Sequence, residues 1–330
     1  MKNNLERLKS AKAQSLDSEK VINVSPMNNL HLFPMMVVSG LLGMDLNNWF
    51  KQNKSQIDEL IVTKGAVLFK NFNLKNKEDF AKFIKEVIDL KSLSYVNRTS
   101  PRCSVAENVY TSTTHPATET IHFHSENSYS KNPPRYLLFF CVNPAQSGGE
   151  TPLADNRLVL KNISTRLKNK FLEKGILYKR RVNDTIGLDW KEIFQVETKL
   201  DVEKHCKEND IDFNWDGETL NLYWKGTAVS PHIKTAEEIW MNHAFFFHKL
   251  SYSPNLLDVI ESDDELPFLT FFGDGSEISE DEYFEMKNAY DKAKVEFNWE
   301  KGDLLLVDNY LISHSRNSYV GDREILVSIF

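Results

Sequence analysis

A succession of short apolar or alternating runs, each bounded by turn residues, constrains the fold of this chain most. From Tyr95 onward these runs include YLLFFCV (residues 136–142), FLTFFGDGS and GDLLLVDN, and a Ser-Gly-Gly turn stands at residues 147–149. Short apolar runs between turn signals are typical of strands. The pattern predicts a β-sandwich or barrel, and mixed stretches at roughly 155–210 and 277–295 predict inserted helices.

The N-terminal part has a different pattern. LNNWFKQNKSQIDELIVTKG has apolar residues near helical spacing and ends at Gly65, and the following AVLFKNF predicts a buried strand. The segment SEDE, further along the chain, is typical of a helix-starting capping box. NKEDFAKFIKEVIDL predicts an amphipathic helix whose apolar face carries Phe80, Phe83, Ile84 and Val87.

The domain organisation follows from what separates these segments. Residues 1 to about 25 are polar and rich in lysine, and we expect them to form a loosely ordered, flexible arm. Neither an internal repeat nor a low-complexity linker divides the remainder. We therefore expect residues 26–330 to form a single domain, mainly β with flanking helices.

Composition limits the partners of the chain. The formal net charge is -7 at pH 7, and no block of Lys and Arg stands out, so we expect neither nucleic acid nor an anionic membrane as a partner. No run approaches the roughly 18 apolar residues of a membrane span, and no signal peptide is apparent, so we expect a cytoplasmic protein. Cys103, Cys141 and Cys206 lack CxxC spacing, which argues against a disulfide framework or a zinc ribbon.

The stretch IHFHSENSYS (residues 121–130) places His122, His124 and Glu126 at every second position. In an extended segment these three side chains point to the same face. Two imidazoles and a carboxylate on one face are half of a metal site. The alternative is a hydrogen-bonded pair at a surface or core edge, since nine histidines also produce such a triplet by chance.

A third donor candidate lies far downstream. In GDLLLVDNYLISHSRNSYVGDREILVSIF an apolar strand ends at Asp308-Asn309, and His314 follows in the next extended segment. We expect the two sheet segments to face each other across a barrel mouth. Two neutral imidazoles and one carboxylate leave metal positions open, which suits Fe(II) enzymes that bind a cosubstrate and O₂ together. A structural zinc site closes all its positions with Cys or His, and the HExxH segment of zinc proteases does not occur.

Five motifs together resemble the Fe(II)/2-oxoglutarate-dependent dioxygenases of the taurine dioxygenase-like (TauD/TfdA) family. They are HSENSYS, GGETPLADNR, FGDGS, WEKGDLLLVDN and HSRNSYVGDR, in the order and spacing of the family. The similarity runs from about Gly65 to the C-terminus and is nearest to the syringomycin-biosynthesis (SyrP-like) branch. The resemblance implies a double-stranded β-helix, or jelly-roll, core.

The resemblance also implies a metal centre. His124 and Glu126 match the proximal His-x-acid pair of the family, and His314 matches the distal histidine, so these three residues would bind Fe(II). Most relatives have Asp where Glu126 stands, whereas SyrP-like and clavaminate synthase-like members have Glu. Halogenases of the wider superfamily lack this carboxylate, so its presence favours hydroxylation or a related oxidation.

Two further residues match positions that bind 2-oxoglutarate. Thr151 in GGETP matches a threonine that hydrogen-bonds a carboxylate of the cosubstrate, although a Thr beside a turn also has a purely structural role. Arg323 matches the arginine that forms a two-pronged salt bridge to the far carboxylate, a contact that suits the planar guanidinium. Arg316 is the competing candidate, with a surface or supporting role as its alternative.

The other motif residues have less defined roles. His122 shares a strand face with His124, but three ligands from one short strand would crowd a metal, so we expect His122 to line the site or to pack in the core. We expect Asp274 and Gly275 to make a turn and Trp299 to pack in the barrel. The positions that match the branch without an assigned role are Arg102, Asn127, Tyr129 and Arg135.

The resemblance implies an enzyme that decarboxylates 2-oxoglutarate to succinate and uses O₂ to hydroxylate an aliphatic carbon. Its branch suggests an amino acid as substrate, either free or bound to a carrier protein, in natural-product assembly. Two alternatives stay open. The same cofactors support desaturation or cyclisation, and a jelly-roll protein without turnover would only bind a ligand.

Overall fold

The computed structural model of the protein describes residues 21–41, 43–88, 104–106, 109–111, 115–183 and 187–330. These residues form a mixture of helices and sheets. The helices are α1 (Leu46–Gln52), α2 (Lys54–Lys64), α3 (Lys77–Val87), α4 (Asn156–Asn162), α5 (Thr165–Lys174), α6 (Trp190–Phe194), α7 (Lys199–Glu208), α8 (Pro254–Leu257) and α9 (Glu280–Ala293).

The strands belong to three larger sheets and two short pairs. The first ten are β1 (Ile22–Pro26), β2 (Met35–Ser39), β3 (Ala66–Lys70), β4 (Ser104–Ala106), β5 (Val109–Thr111), β6 (Ile121–His124), β7 (Tyr136–Asn143), β8 (Ser147–Gly148), β9 (Leu153–Asp155) and β10 (Ile176–Val182). The others are β11 (Asp212–Asp216), β12 (Thr219–Gly226), β13 (Ser230–Pro231), β14 (Glu238–Ile239), β15 (Phe268–Phe272), β16 (Lys294–Val295), β17 (Leu304–Asp308), β18 (Ile312–Arg316), β19 (Tyr319–Val320) and β20 (Glu324–Ile329).

The largest sheet has the strand order β1-β2-β3-β17-β7-β20-β5-β4. Its neighbours pair antiparallel, apart from the parallel pair β2 and β3. The backbone alternation of β7 sends Leu138 and Phe140 into one apolar cluster and Phe139 and Cys141 into another. Because both faces of the sheet are covered, its central strands are continuous apolar runs rather than alternating ones.

A second sheet, of order β16-β9-β18-β6, covers one face of the large sheet. Leu153 of β9 and Ile312 of β18 pack in one cluster with Leu137 of β7 and Leu305 of β17. None of these side chains is more than 1% exposed. Each such burial stabilises the fold by about 1.5–3 kcal/mol. This shared core therefore fixes β18 against the large sheet.

Helices α1 to α3 cover the opposite face of the large sheet. The predicted apolar face of α3 is confirmed, because Phe80, Phe83, Ile84 and Val87 are its buried residues. The helix begins after Asn76, whose side chain accepts a hydrogen bond from the backbone N–H of Asp79 at 2.9 Å.

A third sheet, of order β11-β12-β10-β15, packs with α4, α5 and α9. Buried and half-buried residues alternate along β10, and Tyr178 and Arg180 lie on its buried side. The predicted capping box at the start of α9 is confirmed, since Ser279 and Glu282 bond each other's backbone N–H groups.

Two expectations differ from the structure. The described residues divide between helices and strands in similar numbers, so the chain is mixed rather than mainly β. The reason is that a sheet buried on both faces needs covering layers, which the helices supply. The expected N-terminal arm reaches residue 25, whereas residues 22–26 form β1 and pair with β2, and residues 1–20 lie outside the described part.

Within the described residues, we find no helix with the length and apolar character needed to cross a membrane.

Gly65 links α2 to β3 and offers a test of this packing. Its φ is 77°, and a Cβ at this position would lie 2.6 Å from Cγ1 of Ile312. We expect Gly65→Ala to lower the free energy of unfolding by about 2–5 kcal/mol, because a left-handed backbone costs about 1–2 and an overpacked core about 1–3 kcal/mol. Urea unfolding followed by circular dichroism measures the loss.

Gly43→Ala is the matched control. Gly43 has nearly the same φ, 76°, but no atom of the described residues beyond its chain neighbours lies within 4 Å of its added Cβ. We expect only the backbone cost there, about 1–2 kcal/mol. Equal losses at the two positions would show that Gly65 is not constrained by its contact with Ile312.

Candidate metal centre

Two histidines meet on adjacent strands of the second sheet. β6 pairs antiparallel with β18, and His124 is the register partner of His314. Their ring centroids are 4.4 Å apart. Direct cross-strand partners project from the same face of a sheet. The expectation that the two segments face each other across a barrel mouth is therefore wrong, because they are hydrogen-bonded neighbours in one sheet.

Glu126 lies just beyond the end of β6. The strand ends at His124, and Glu126 starts a turn in which Asn127 has a φ of 51°. The extended segment is therefore shorter than expected. The side chain of Asn309 replaces the missing strand neighbour: Oδ1 accepts from the backbone N–H of Glu126 at 2.7 Å, and Nδ2 donates to its carbonyl at 2.9 Å.

A buried hydrogen-bond network supports the two strands from the other face. The hydroxyl oxygens of Ser125 and Ser313 are 3.1 Å apart. Asn156 donates to the Ser125 oxygen at 3.1 Å and accepts from the Ser313 hydroxyl at 2.7 Å. None of the three residues is more than 1% exposed. Because each serine adjoins a candidate ligand residue, this network restrains the backbone that carries the ligands.

His124, Glu126 and His314 each bring one donor atom within 4.8 Å of the others. Nδ1 of His124 lies 2.9 Å from the backbone carbonyl oxygen of His122. Since a carbonyl only accepts, Nδ1 carries the proton and Nε2 presents a lone pair. That Nε2 is 4.0 Å from Oε2 of Glu126, which is 3% exposed. An imidazole oriented in this way beside a buried carboxylate fits a metal ligand, and the donor set suits Fe(II).

The donor cluster opens into a cavity of about 590 Å³. Every residue that the sequence predicts for the site lines this cavity: His124, Glu126, Thr151, His314 and Arg323. The structure therefore brings together donors from β6, the turn after it, β18 and the loops before β9 and β20.

Thr151 and Arg323 lie side by side. Nη2 of Arg323 donates to Oγ1 of Thr151 at 3.4 Å, and Nε donates to the carbonyl of Gly149 at 2.8 Å. Trp299, which we expect only to pack in the barrel, also donates to the Thr151 oxygen, at 2.9 Å. With two donors on its oxygen, the Thr151 hydroxyl keeps its own proton for a ligand.

The environment of Arg323 suits an incoming carboxylate. Burial, with a smaller contribution from Arg316, lowers the pKa of Arg323 to about 10, so the group stays cationic at neutral pH. Within the described residues its hydrogen bonds go to a carbonyl and a hydroxyl rather than to a carboxylate. A Cβ on Gly149 would lie 2.9 Å from Cδ of Arg323, which explains the glycine at this position.

Arg316 has a different task. Its guanidinium donates to the backbone carbonyls of His115 at 2.9 Å, Pro116 at 2.6 Å and Glu119 at 2.7 Å. These contacts hold the loop at 115–119, which forms part of the cavity wall. Because both of its terminal nitrogens, Nη1 and Nη2, already donate to backbone carbonyls, the geometry favours Arg323 over Arg316 as the group that meets a cosubstrate carboxylate.

His122 lines the cavity, as expected, and its carbonyl orients His124. Its ring lies 5.6 Å from that of Phe245. Burial lowers the pKa of His122, so the ring is neutral at pH 7. The residue therefore supports the site without belonging to the donor cluster.

The other motif residues make the following contacts, and Asn127 also lines the cavity. Tyr129 donates to the Asn127 side chain at 3.0 Å, and Nε of Arg135 lies 4.0 Å from the buried carboxylate of Asp308. The predicted turn at Asp274-Gly275 is confirmed, since Gly275 has a φ of 86° and its neighbour Ser276 bonds back to Asp274. Arg102 lies outside the described residues.

His243 belongs to the site, although the sequence does not single it out. Its ring centroid is 6.0 Å from that of His124, and the ring of Phe246 is 4.7 Å from His124. The Ser128 hydroxyl contacts Nδ1 of His243 at 2.7 Å. Burial, reinforced by the neighbouring histidines, holds the pKa of His243 well below its usual value. The only sequence signal is the aromatic-rich segment HAFFFH (243–248), which also fits a core segment.

Comparison with known proteins places this geometry in a family. The dapdiamide synthesis protein DdaC of Enterobacter agglomerans is 33% identical over 312 residues, which cover 93% of this chain and 94% of DdaC. A clavaminate synthase-like protein of Arabidopsis thaliana is 27% identical over 290 residues, covering 84% of this chain and 85% of that protein. PvcB of Pseudomonas aeruginosa has a similar fold, with a TM-score of 0.55 and 12% identity over 95% of this chain and 92% of PvcB.

PvcB is an Fe, alpha-ketoglutarate-dependent oxygenase from an isonitrile synthetic pathway. The expected cofactor and cosubstrate, Fe(II) and 2-oxoglutarate, agree with this neighbour and with the donor set described above. Residues 29–329 match the family model for taurine catabolism dioxygenase TauD, TfdA family. Together with the similarity to DdaC, this match shows that the chain belongs to the TauD/TfdA family of dioxygenases.

Proposed function

We propose that the protein is an Fe(II)- and 2-oxoglutarate-dependent hydroxylase. It hydroxylates an aliphatic carbon of an amino acid in natural-product biosynthesis. The amino acid is either free or bound to a carrier protein. The observation that carries the proposal is one cavity that contains both the donor cluster and the Thr151–Arg323 pair. The iron supplies the oxidising chemistry when it is bound, and the chain holds it, leaves positions open and orients the other reactants.

In this proposal His124, Glu126 and His314 bind the iron. Thr151 donates its hydroxyl proton to a carboxylate of 2-oxoglutarate, and Arg323 forms a two-pronged contact with the far carboxylate. The glutamate is longer than the aspartate of most relatives. Glu126 begins a turn just beyond the end of β6, and the side chain of Asn309 holds its backbone there. This position is compatible with the longer side chain.

The finer placement in the family is also a proposal. Residues 26–330 form one domain whose facing sheets are a double-stranded β-helix core, and the SyrP-like branch is the nearest one. The core shared by β7, β9, β17 and β18 supports the first point, and the family match over residues 29–329 agrees with it. The names of DdaC and PvcB, which refer to dapdiamide synthesis and an isonitrile pathway, support a role in biosynthesis.

The reaction outcome depends on where the substrate carbon lies. Glu126 occupies the carboxylate position that halogenases lack, which supports hydroxylation over halogenation. Product mass separates the remaining outcomes, because hydroxylation adds one oxygen whereas desaturation or cyclisation removes two hydrogens.

We place the reaction in the cytoplasm, and the free, buried thiols of Cys141 and Cys206 suit that reducing compartment.

The metal assignment predicts a spectroscopic signature. We expect the wild-type protein, with Fe(II) and 2-oxoglutarate added anaerobically, to show the weak visible charge-transfer band of a chelated cosubstrate. His124→Ala and His314→Ala should abolish it, because each removes one donor of three. His205→Ala is the control, since His205 lies on α7 outside the cavity, and it should keep the band. Retention of the band in both donor variants would contradict the assignment.

The cosubstrate assignment predicts different effects at the two arginines. We expect Arg323→Ala to raise the KM for 2-oxoglutarate at least tenfold, because a buried carboxylate without its partner costs about 2–5 kcal/mol and about 1.4 kcal/mol is tenfold. Arg323→Lys should restore only part of the affinity. Steady-state kinetics with 2-oxoglutarate varied measures both.

Arg316→Ala should act on stability instead. It leaves three loop carbonyls without their donor, each worth about 1–3 kcal/mol if the carbonyl stays buried, so Tm should fall. Any change in KM should be smaller than at Arg323. A tenfold rise in KM at Arg316 with none at Arg323 would overturn the cosubstrate assignment and leave the metal assignment standing.

A further inference from the structure

The cavity wall beside the metal centre carries two polar side chains that the proposed chemistry does not use. His243 and Asn127 both line the cavity, and neither belongs to the donor cluster. Around them the wall is apolar, since the rings of Phe246 and Phe247 lie 5.2 and 4.6 Å from that of His243. A few polar groups on a mostly apolar wall are what fixes the orientation of a small ligand.

His243 presents one ring nitrogen to the cavity. The residue is 2% exposed, and its Nδ1 lies 2.7 Å from the hydroxyl oxygen of Ser128. Ser128 lines a second cavity, of about 410 Å³, rather than the cavity of the metal centre. Nε2 of His243 has no hydrogen-bond partner in the described part of the chain. Because Nδ1 is directed towards Ser128, Nε2 is the nitrogen that a ligand in the cavity meets.

Asn127 presents its amide nitrogen. Its Oδ1 accepts from the Tyr129 hydroxyl at 3.0 Å, which fixes the orientation of the amide. Nδ2 bonds no residue that the structure describes, so its two N–H groups are available as donors. The ring of Tyr129 also lies 4.9 Å from that of His243. One tyrosine thus contacts both members of the polar pair.

The charge of the cavity favours one hydrogen-bonding role for His243. Four arginines but only two glutamates line the cavity, namely Arg180, Arg181, Arg316 and Arg323, and Glu119 and Glu126. Positive surroundings favour a lone pair over an N–H at Nε2, so that Nδ1 carries the proton and donates it to Ser128. The same charge disfavours an ammonium as the ligand. The pair is therefore an uncharged donor, Asn127, beside an uncharged acceptor, His243.

A carboxamide has the complementary pattern, because its oxygen accepts and its N–H donates. We propose that His243 and Asn127 bind a carboxamide of the substrate and thereby orient the substrate beside the metal centre. Nδ2 of Asn127 donates to the carbonyl oxygen, and Nε2 of His243 accepts from the amide N–H. The inference rests on the proposed function for the reaction, but the binding of the carboxamide is measured without turnover.

A substrate carboxamide has two sources here. A free amino acid carries one if its side chain is an amide. An N-acylated amino acid carries one at its nitrogen, whatever its side chain. Both sources offer the same chemistry to the polar pair.

The direct test is a binding measurement with a matched pair of probes, 3-phenylpropanamide and 4-phenylbutan-2-one. The two have the same shape and the same carbonyl, but the ketone has a methyl group in place of the amide NH₂. We expect the amide to bind at least tenfold more tightly in isothermal titration calorimetry, because a site that accepts from an N–H rejects the analogue that lacks it. Equal affinities, or no binding of either probe, would overturn the proposal with the wild-type protein alone.

His243→Phe tests the acceptor. It keeps an aromatic ring on the wall and removes Nε2, so the amide should lose its tenfold preference over the ketone. His205→Phe is the matched control, since His205 packs against Phe194 outside the cavity, and the preference should persist there. A preference that survives His243→Phe would place the amide N–H elsewhere. Circular dichroism shows that each variant is folded before it is compared.

Asn127→Gly tests the donor without straining the backbone, because the φ of 51° at this position suits glycine. Both probes have the carbonyl, so both should lose affinity by a similar factor, about two- to tenfold. Asn71→Gly is the control, since Asn71 has a similar φ of 65° but is exposed and does not line the cavity. Unchanged affinities in Asn127→Gly would contradict the role of Asn127.

The binding ratio is measured both with and without Fe(II) and 2-oxoglutarate, under anaerobic conditions. We expect the preference for the amide in both forms, because neither His243 nor Asn127 is a metal donor. Absence of the charge-transfer band in the wild-type protein would refute the proposed function. The amide-to-ketone ratio of the metal-free protein would still decide the role of the polar pair.

Succinate formation then distinguishes the sources of the carboxamide. Stimulation by L-asparagine or L-glutamine, but not by L-aspartate or L-glutamate, indicates a side-chain carboxamide. Stimulation by N-acetyl amino acids whose side chains lack an amide indicates an amide at the amino nitrogen. Equal stimulation by free amino acids that lack any carboxamide would contradict the proposal.

Discussion

The antiparallel pairing of β6 with β18 is the interaction on which the site depends. It places His124 directly opposite His314, and the backbone hydrogen bonds of the pair set the distance between the two imidazoles. β18 is held in turn by the core that Ile312 shares with the large sheet. The positions of the two histidines are thus set by packed strands, and rigid elements of this kind are what a site of fixed coordination requires.

Polar side chains extend this rigidity where the strands end. Asn309 pairs with the backbone of Glu126 as a neighbouring strand would, and Asn156 joins Ser125 to Ser313 on the reverse face. These groups are buried, and their donors and acceptors are matched, so they restrain the backbone without the cost of unpaired polar atoms. The cavity side of the same strands is left to the donor atoms.

Much of this could be predicted from the sequence, because local rules and motif order carry it. The helix end at Gly65, the buried strand after it and the capping box at Ser279 follow from short-range chemistry. The site residues follow from motifs in a known order. The adjacency of β6 and β18 could not be predicted, because pairing between distant segments depends on the whole topology.

In the proposed function, one cavity holds the iron at His124, Glu126 and His314 and the cosubstrate at Thr151 and Arg323. An anaerobic crystal structure of the protein with Fe(II) and 2-oxoglutarate tests it most directly. We expect iron bound by those two imidazoles and that carboxylate, with the far carboxylate of 2-oxoglutarate in two-pronged contact with Arg323. Iron bound by other residues, or a far carboxylate held by Arg316, would contradict it.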